Sequence, residues 1–191
     1  MDEARSVAID GDIPGGEPDE KLALAARFDP AAFGLLYDRH RLVVFRYLRT
    51  RTANEDDAAE LTAVTFERAL AAMPRYRQSG GGFLAWLLRI ARNAAIDAGR
   101  RANAVPLLMD VPDERHAVEP EELVVANERR AILMAAVNGL PDVQREAIVL
   151  RYAARLTARE IGDVLGKSDQ AAQKLLSRGL ATIRETYRAD V

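Results

Sequence analysis

The stretch Thr157-Ala158-Arg159-Glu160-Ile161-Gly162-Asp163-Val164-Leu165-Gly166 reads as one short helix and the turn that ends it. Thr157 suits the N-cap, where a hydroxyl accepts from an otherwise unpaired backbone N–H. Ile161 and Leu165 share an inward face at four-residue spacing. Gly162 leaves room for a close helix crossing, and Gly166 permits the turn that follows. A second helix is expected from about Ser168 to Tyr187, anchored by Leu175, Leu176, Leu180 and Ile183. Its other face carries Gln170, Gln173, Lys174 and Arg178. This is the pattern of a helix-turn-helix, whose second helix enters the major groove; there Gln reads adenine, and Arg or Lys reads guanine or phosphate. The competing reading is a helical hairpin used only for packing.

Outward from this unit, helical periodicity continues in both directions. Leu140-Pro141 opens a preceding helix with Ile148, Val149 and Tyr152 turned inward, and another helix runs from about Glu121 to Asn138. Residues 104–120 hold Pro106, Pro112 and Pro120 among acidic residues and read as a linker. Before it, Phe83 to about Asn103 forms an amphipathic helix with Phe83, Trp86, Leu87 and Ile90 on one side and Arg89, Arg92, Arg100 and Arg101 decorating it. Pro74 to Gly82 is an exposed, basic, Gly-rich loop. Asn54 caps the helix before that loop, and Glu55, Asp56 and Asp57 suit the positive end of its dipole. Pro30 falls in the first turn of a helix whose apolar residues are Phe33, Leu36, Tyr37, Val44, Tyr47 and Leu48. Asp19 is expected to cap a short helix carrying Leu22, Leu24, Ala25 and Phe28. The expected fold is all-α. A tail of residues 1–18 precedes one helical module (19–103), the acidic linker (104–120) and a second helical module (121–191).

Charge follows the same division. A formal net charge of −2 conceals blocks of −5 (1–26), +5 (27–103), −6 (104–128) and +4 (129–191). Two basic modules around an acidic connector suit contact with a polyanion. With no cysteine and only two histidines, His40 and His116, the chain has no thiol chemistry and no multi-histidine metal centre, so neither cofactor nor metal is expected. His40 is read as a surface or packing residue. Gly80-Gly81-Gly82 lacks a following Lys-Ser/Thr and is no phosphate-binding P-loop. No apolar run approaches the roughly 18–20 residues that cross a bilayer, and the N-terminus shows no signal pattern, so a cytoplasmic protein without membrane insertion is expected.

Three stretches, in order, resemble the bacterial sigma factors of the extracytoplasmic-function (ECF) type within the sigma-70 family. Asp57-Ala58-Ala59-Glu60-Leu61-Thr62-Ala63-Val64-Thr65-Phe66-Glu67-Arg68-Ala69-Leu70 resembles the family's polymerase-clamp-binding helix. The helix from Phe83 to Arg101 resembles its promoter-melting helix. Leu140-Pro141, Arg145-Glu146-Ala147-Ile148-Val149-Leu150-Arg151-Tyr152 and the helix-turn-helix resemble its −35-binding domain. The resemblance spans roughly residues 20–188. Ala63 and Val64 depart from the Gln-Glu pair common in the clamp helix. Ala172-Gln173-Lys174-Leu175 stands where a more basic stretch is usual.

The resemblance implies a non-enzymatic initiation factor that binds core RNA polymerase and directs it to promoter DNA through −10 and −35 elements. Core polymerase would be met by Asp56, Asp57, Glu60, Leu61, Thr65 and Phe66. The −10 element would be captured and melted by Arg75, Tyr76, Arg77, Arg89, Arg92, Asn93, Arg100 and Arg101, with the Gly-rich loop receiving an unstacked base. The −35 element would be read by Thr157, Gln170, Gln173, Lys174 and Arg178. Trp86 is read as core, with base stacking the other reading, and Asp97 stays open between a family role and a structural one. An anti-sigma factor is implied as a partner, and the free protein as a monomer. Two other function classes remain: a sigma-like decoy that binds polymerase or an anti-sigma factor without starting transcription, and, with poor support, an α-helical enzyme.

Overall fold

The structure is a computed structural model and describes residues 17–78, 80–101 and 131–189. The described residues are helical and contain no strand. Helix α1 (Asp19–Ala25) is followed by α2 (Pro30–Arg49), α3 (Glu55–Ala72), a 3-10 turn (Met73–Arg75) and α4 (Gly82–Arg101). After the linker, which lies outside the described residues together with residues 121–130 and 1–16, come α5 (residues 131–138), α6 (Asp142–Tyr152), α7 (Ala158–Leu165) and α8 (Asp169–Ala189).

The helix starts follow from local chemistry. The Asp29 carboxylate accepts from the Ala31 N–H at 2.9 Å, with Pro30 at the first helical position. The Asn54 side chain accepts from the Asp57 N–H at 2.7 Å. Thr157 and Glu160 form a reciprocal capping box, a feature worth about 1 kcal/mol for an eight-residue helix that packing alone holds weakly. Asp19 departs from expectation. Pro18 precedes α1 without a side-chain cap, and the Asp19 carboxylate turns to α2, where Arg39 Nη1 donates at 2.5 Å and His40 Nε2 lies 2.6 Å away. His40 is therefore buried rather than at the surface, tilted against the Phe83 ring.

Apolar periodicity maps onto the core in most places. Leu36, Val44, Tyr47 and Leu48 of α2 are fully buried, and Ala58, Thr65 and Ala69 of α3 face them. Each large side chain so buried contributes roughly 1.5–3 kcal/mol. Five of the positions read as apolar differ and are exposed: Leu24, Ala25, Phe28, Tyr37 and Tyr152. Leu24 and Phe28 are exposed, because α1 buries Leu22 and Ala23 instead; Arg27 covers the Phe28 ring at 5.3 Å. Tyr152 is exposed because α6 ends there, and Ala154 and Leu156 of the following turn take the inward place.

The two modules are packed together. Helix α4 lies between α2 and α3 on one side and α7 on the other, and Leu87, Leu88 and Ala91 are wholly buried along it. One continuous apolar cluster runs from α1–α4 into Ala147, Val149, Leu150, Ile161 and Val164. In the helix-turn-helix, Gly166 takes φ +66°, and a Cβ added to Gly162 would sit 2.7 Å from the Lys167 carbonyl oxygen. That neighbour is backbone and has little freedom to give way.

Two outcomes follow. Gly162→Ala should destabilise the protein by about 1–3 kcal/mol, seen as a lower denaturant midpoint with an unchanged slope. Burial works to raise the Asp19 pKa, but the His40 and Arg39 contacts together outweigh it and hold the carboxyl below 3.8. Its folded pKa is depressed, so its stabilising contribution is complete above the unfolded value and fades as pH falls through the folded one. Asp19→Asn should therefore be less stable than the parent at pH 7 and show a shallower loss on acidification, measured by thermal denaturation across pH.

Candidate nucleic-acid interface

Helix α8 presents the clearest surface. Gln170, Gln173, Lys174 and Arg178 are exposed and, with Ser177, line one shallow groove along it. Ala172 is buried behind them, and Gly179 lies against Ile148, so the helix is pressed onto α6 by its opposite face. The Gln173 amide donates to Asp169 Oδ1 at 3.1 Å, which ties one reading residue to the acidic group at the helix start. Thr157 is exposed, but its hydroxyl is engaged with Glu160 in the cap.

The first module places its arginines unevenly. Arg89, Asn93 and Arg100 are exposed on α4, and Arg75 and Arg77 are exposed at the loop. Of Arg101 only the backbone position, at the end of α4, is described. Arg92 is only partly exposed, with its Nε donating to Glu146 Oε1 of α6 at 2.9 Å. Asp97 pairs with Arg68 at 3.0 Å, which clips α3 to α4.

The reading of Tyr76 as an exposed loop residue is not met. Tyr76 is 2% exposed, with its ring edge-on to Phe83 (5.8 Å between centroids) and Trp86 (5.0 Å). The rings close because Tyr76 leaves the 3-10 turn directly beneath the start of α4, where Phe83 and Trp86 lie on one face. Trp86 thus belongs to the packed cluster. Burial first, and then Glu20 and Asp19, push the Tyr76 hydroxyl up to about 12, and that hydroxyl is buried with no hydrogen-bond partner among the described residues.

On α3, Asp56, Asp57 and Glu60 form an exposed acidic face. Leu61 is half-buried beside it, whereas Thr65 and Phe66 are buried and do not reach that surface. Thr65 donates to the Leu61 carbonyl at 2.7 Å, and Phe66 packs edge-on against Tyr37 and Phe33. Four-residue spacing put Thr65 in line with Leu61 and Ala69, which was the available sign that it turns inward.

The chain matches the family model for sigma-70 region 2 over residues 36–105 and that for sigma-70 region 4 over residues 130–183. It belongs to the sigma-70 family, in its ECF branch. Membership makes it a transcription initiation factor that directs RNA polymerase to promoters, and not an enzyme.

Among its relatives, this sigma factor is 32% identical to the ECF RNA polymerase sigma factor BldN of Streptomyces coelicolor, over 80% of this chain and 59% of that one. It is 32% identical to the ECF sigma factor ShbA of Streptomyces griseus, over 81% of this chain and 86% of that one. Its fold is similar to that of CnrH, solved in complex with the cytosolic domain of CnrY. The TM-score is 0.67 at 26% identity, over 91% of this chain and 99% of that one.

What reading the sigma factor's sequence missed is the partner of Arg92. Glu146 is 6% exposed, and its Oε1 accepts from Tyr47 Oη at 3.0 Å and Arg92 Nε at 2.9 Å, while pairing with Arg51 as well. No local pattern joins residues from α2, α4 and α6. The one available signal was an acid in a stretch whose neighbours Ala147 to Leu150 are all buried. Desolvation pushes the Tyr47 hydroxyl far above its ordinary value, and the Glu146 carboxylate adds to the effect against Arg51 and Arg92.

Tyr76→Phe removes an unpaired buried hydroxyl. It should leave stability unchanged or raise it by up to about 1 kcal/mol in chemical denaturation. Because burial disfavours the phenolate, the raised Tyr76 pKa costs no stability below pH 10 and destabilises the fold increasingly as pH climbs from 10 toward about 12. The variant should therefore lose less stability than the parent on alkalinisation.

Proposed function

We propose that residues 19–103 dock this sigma factor on core RNA polymerase and open the −10 element, and that residues 121–191 read the −35 element, joined by the acidic linker at 104–120. The observation that carries this reading is the exposed row Gln170, Gln173, Lys174 and Arg178 on a capped helix-turn-helix, beside an otherwise separate arginine face on α4. On α8 the two glutamines favour adenine edges, and the two cations favour guanine or phosphate. With Asp169 alongside, the phosphate-binding charge is modest, so salt dependence at this element should be shallow.

At the −10 element, Arg75, Arg77, Arg89, Asn93 and Arg100 contact phosphates and unstacked bases, joined by Arg101 at the end of α4 and by Arg92 once it is released from Glu146. Tyr76 contributes by shaping the loop rather than by stacking on a base. Asp56, Asp57 and Glu60, with Leu61 beside them, meet a basic surface of the polymerase, where charge complementarity steers docking. The solved complex of CnrH with the cytosolic domain of CnrY supports a protein partner for this chain as well, which the sigma-factor resemblance makes one of anti-sigma type. Outside such complexes the protein is a cytoplasmic monomer. Among the described residues no helix is long and apolar enough to cross a membrane. No observation favours a decoy over an initiation factor.

Run-off transcription with purified core polymerase on fragmented genomic DNA, with the transcript 5′ ends sequenced, tests this reading. Distinct starts sharing two upstream elements are expected. Combined Arg89→Ala and Arg92→Ala should reduce them by about 100-fold or more, since each lost phosphate or base contact costs roughly 1–3 kcal/mol. Core binding without any promoter-specific start would overturn the reading.

A further inference from the structure

Glu146 is the place where the two modules hold each other through charge. It comes from α6, in the −35 module. The groups that surround it, Tyr47 of α2, Arg51 of the turn after α2 and Arg92 of α4, all come from the −10 module. The side chains of Glu146 and Arg51 are 7% and 8% exposed, so this is a contact sealed from water rather than a surface pairing. A second contact lies along the same face. An added Cβ at Gly80 would overlap the Arg159 guanidinium, and one at Gly81 would meet the Asp163 carboxylate. Helix α7 therefore rests directly on the Gly-rich loop.

From this geometry we infer that Glu146 is an ionic latch which holds the protein closed, and that closure and −10 engagement are mutually exclusive. Its carboxylate occupies the position on Arg92 that a DNA phosphate or base edge would take, and α7 covers the loop that would receive an unstacked base. Exclusivity rests on the function proposed above for Arg92 and the loop; the latch itself does not. Removing the carboxylate charge leaves two guanidinium groups facing one another without a counter-charge, a far worse arrangement than the intact cluster. Because Glu146 and Arg51 are sealed from water, ordinary salt should screen their pairing weakly. A wild-type protein held by this latch stays closed until polymerase or DNA separates the modules.

The absence of native cysteine allows a clean test on the full chain. Cysteines at the exposed positions Ala71 on α3 and Ala181 on α8 carry a donor and an acceptor dye for single-molecule energy transfer. The parent should show one high-transfer population that changes little between about 0.1 and 0.5 M salt. Glu146→Gln should move the closed-to-open ratio by about tenfold or more toward open. Tyr47→Phe keeps the ring, loses only the hydroxyl donor, and should give a smaller shift in the same direction. Asp142→Asn removes an equal charge from an exposed site on the same helix and should stay closed.

Circular dichroism separates opening from unfolding. If Glu146→Gln fails to fold, Tyr47→Phe decides. Parent-like transfer in both Glu146→Gln and Tyr47→Phe, or equal opening in Asp142→Asn, would overturn the latch. A single-stranded 20-mer of mixed sequence should lower transfer in the parent, with a half-effect concentration about tenfold lower in Glu146→Gln. Oligonucleotide binding, followed by anisotropy, without loss of transfer would overturn exclusivity. Because transfer is read without transcription, absent promoter-specific starts beside an intact latch would count against the functional reading alone.

Discussion

A carboxylate taken out of water must be met by charges and donors, and Glu146 meets all of them across a module boundary. Tyr47, Arg51 and Arg92 lie between 54 and 99 positions away in sequence, on two helices of the other module and the turn after the first of them, yet they converge on one oxygen or its immediate neighbourhood. That requirement ties together features that would otherwise be independent. The α2 ring must be buried for its hydroxyl to reach, α4 must turn Arg92 away from solvent, and α6 must present an acid among apolar neighbours. Ala147, Val149 and Leu150 then bring α6 into the same apolar cluster as the first module, so the ionic contact sits inside hydrophobic packing rather than at its rim. Desolvation makes such a cluster selective about geometry: a displaced partner leaves a buried charge uncompensated.

Where residues act locally, the sequence was informative. The caps at Asn54 and Thr157, the left-handed Gly166 and the outward row on α8 depend on near neighbours, and their spacing determines their structure. The same holds for the apolar faces of α2 and α3. The family's ordered motifs carried the functional reading further than periodicity alone would have done.

What stayed hidden depends on contacts between distant segments. Asp19 has the chemistry of a cap, but two α2 side chains compete for its carboxylate and win. Tyr76 sits among Arg and Gly, which suggests solvent, yet its ring is taken up by two aromatics of the next helix. Thr65 and Phe66 lie within the clamp-helix motif but on the face that packs against α2. Arg92 looks like its neighbour Arg89, and only the placement of Glu146 separates a half-buried cation from an exposed one. For Asp19, Phe66 and Arg92 the deciding partner sits on another helix, and for Tyr76 the folding back of the loop onto α4 decides.

The ring cluster of Tyr76, Phe83 and Trp86 bears on the entropy of gripping a ligand. Tyr76 and Phe83 bracket the Gly-rich loop and are both fixed in the core, so the loop is a short arc pinned at each end. Ordering a residue costs about 1–2 kcal/mol in backbone freedom, and a glycine loses more than most. Pinning confines that loss to about six residues and prevents it from spreading into the flanking helices. For the base capture proposed above, the two rings would limit how much order must be created when a flat group enters.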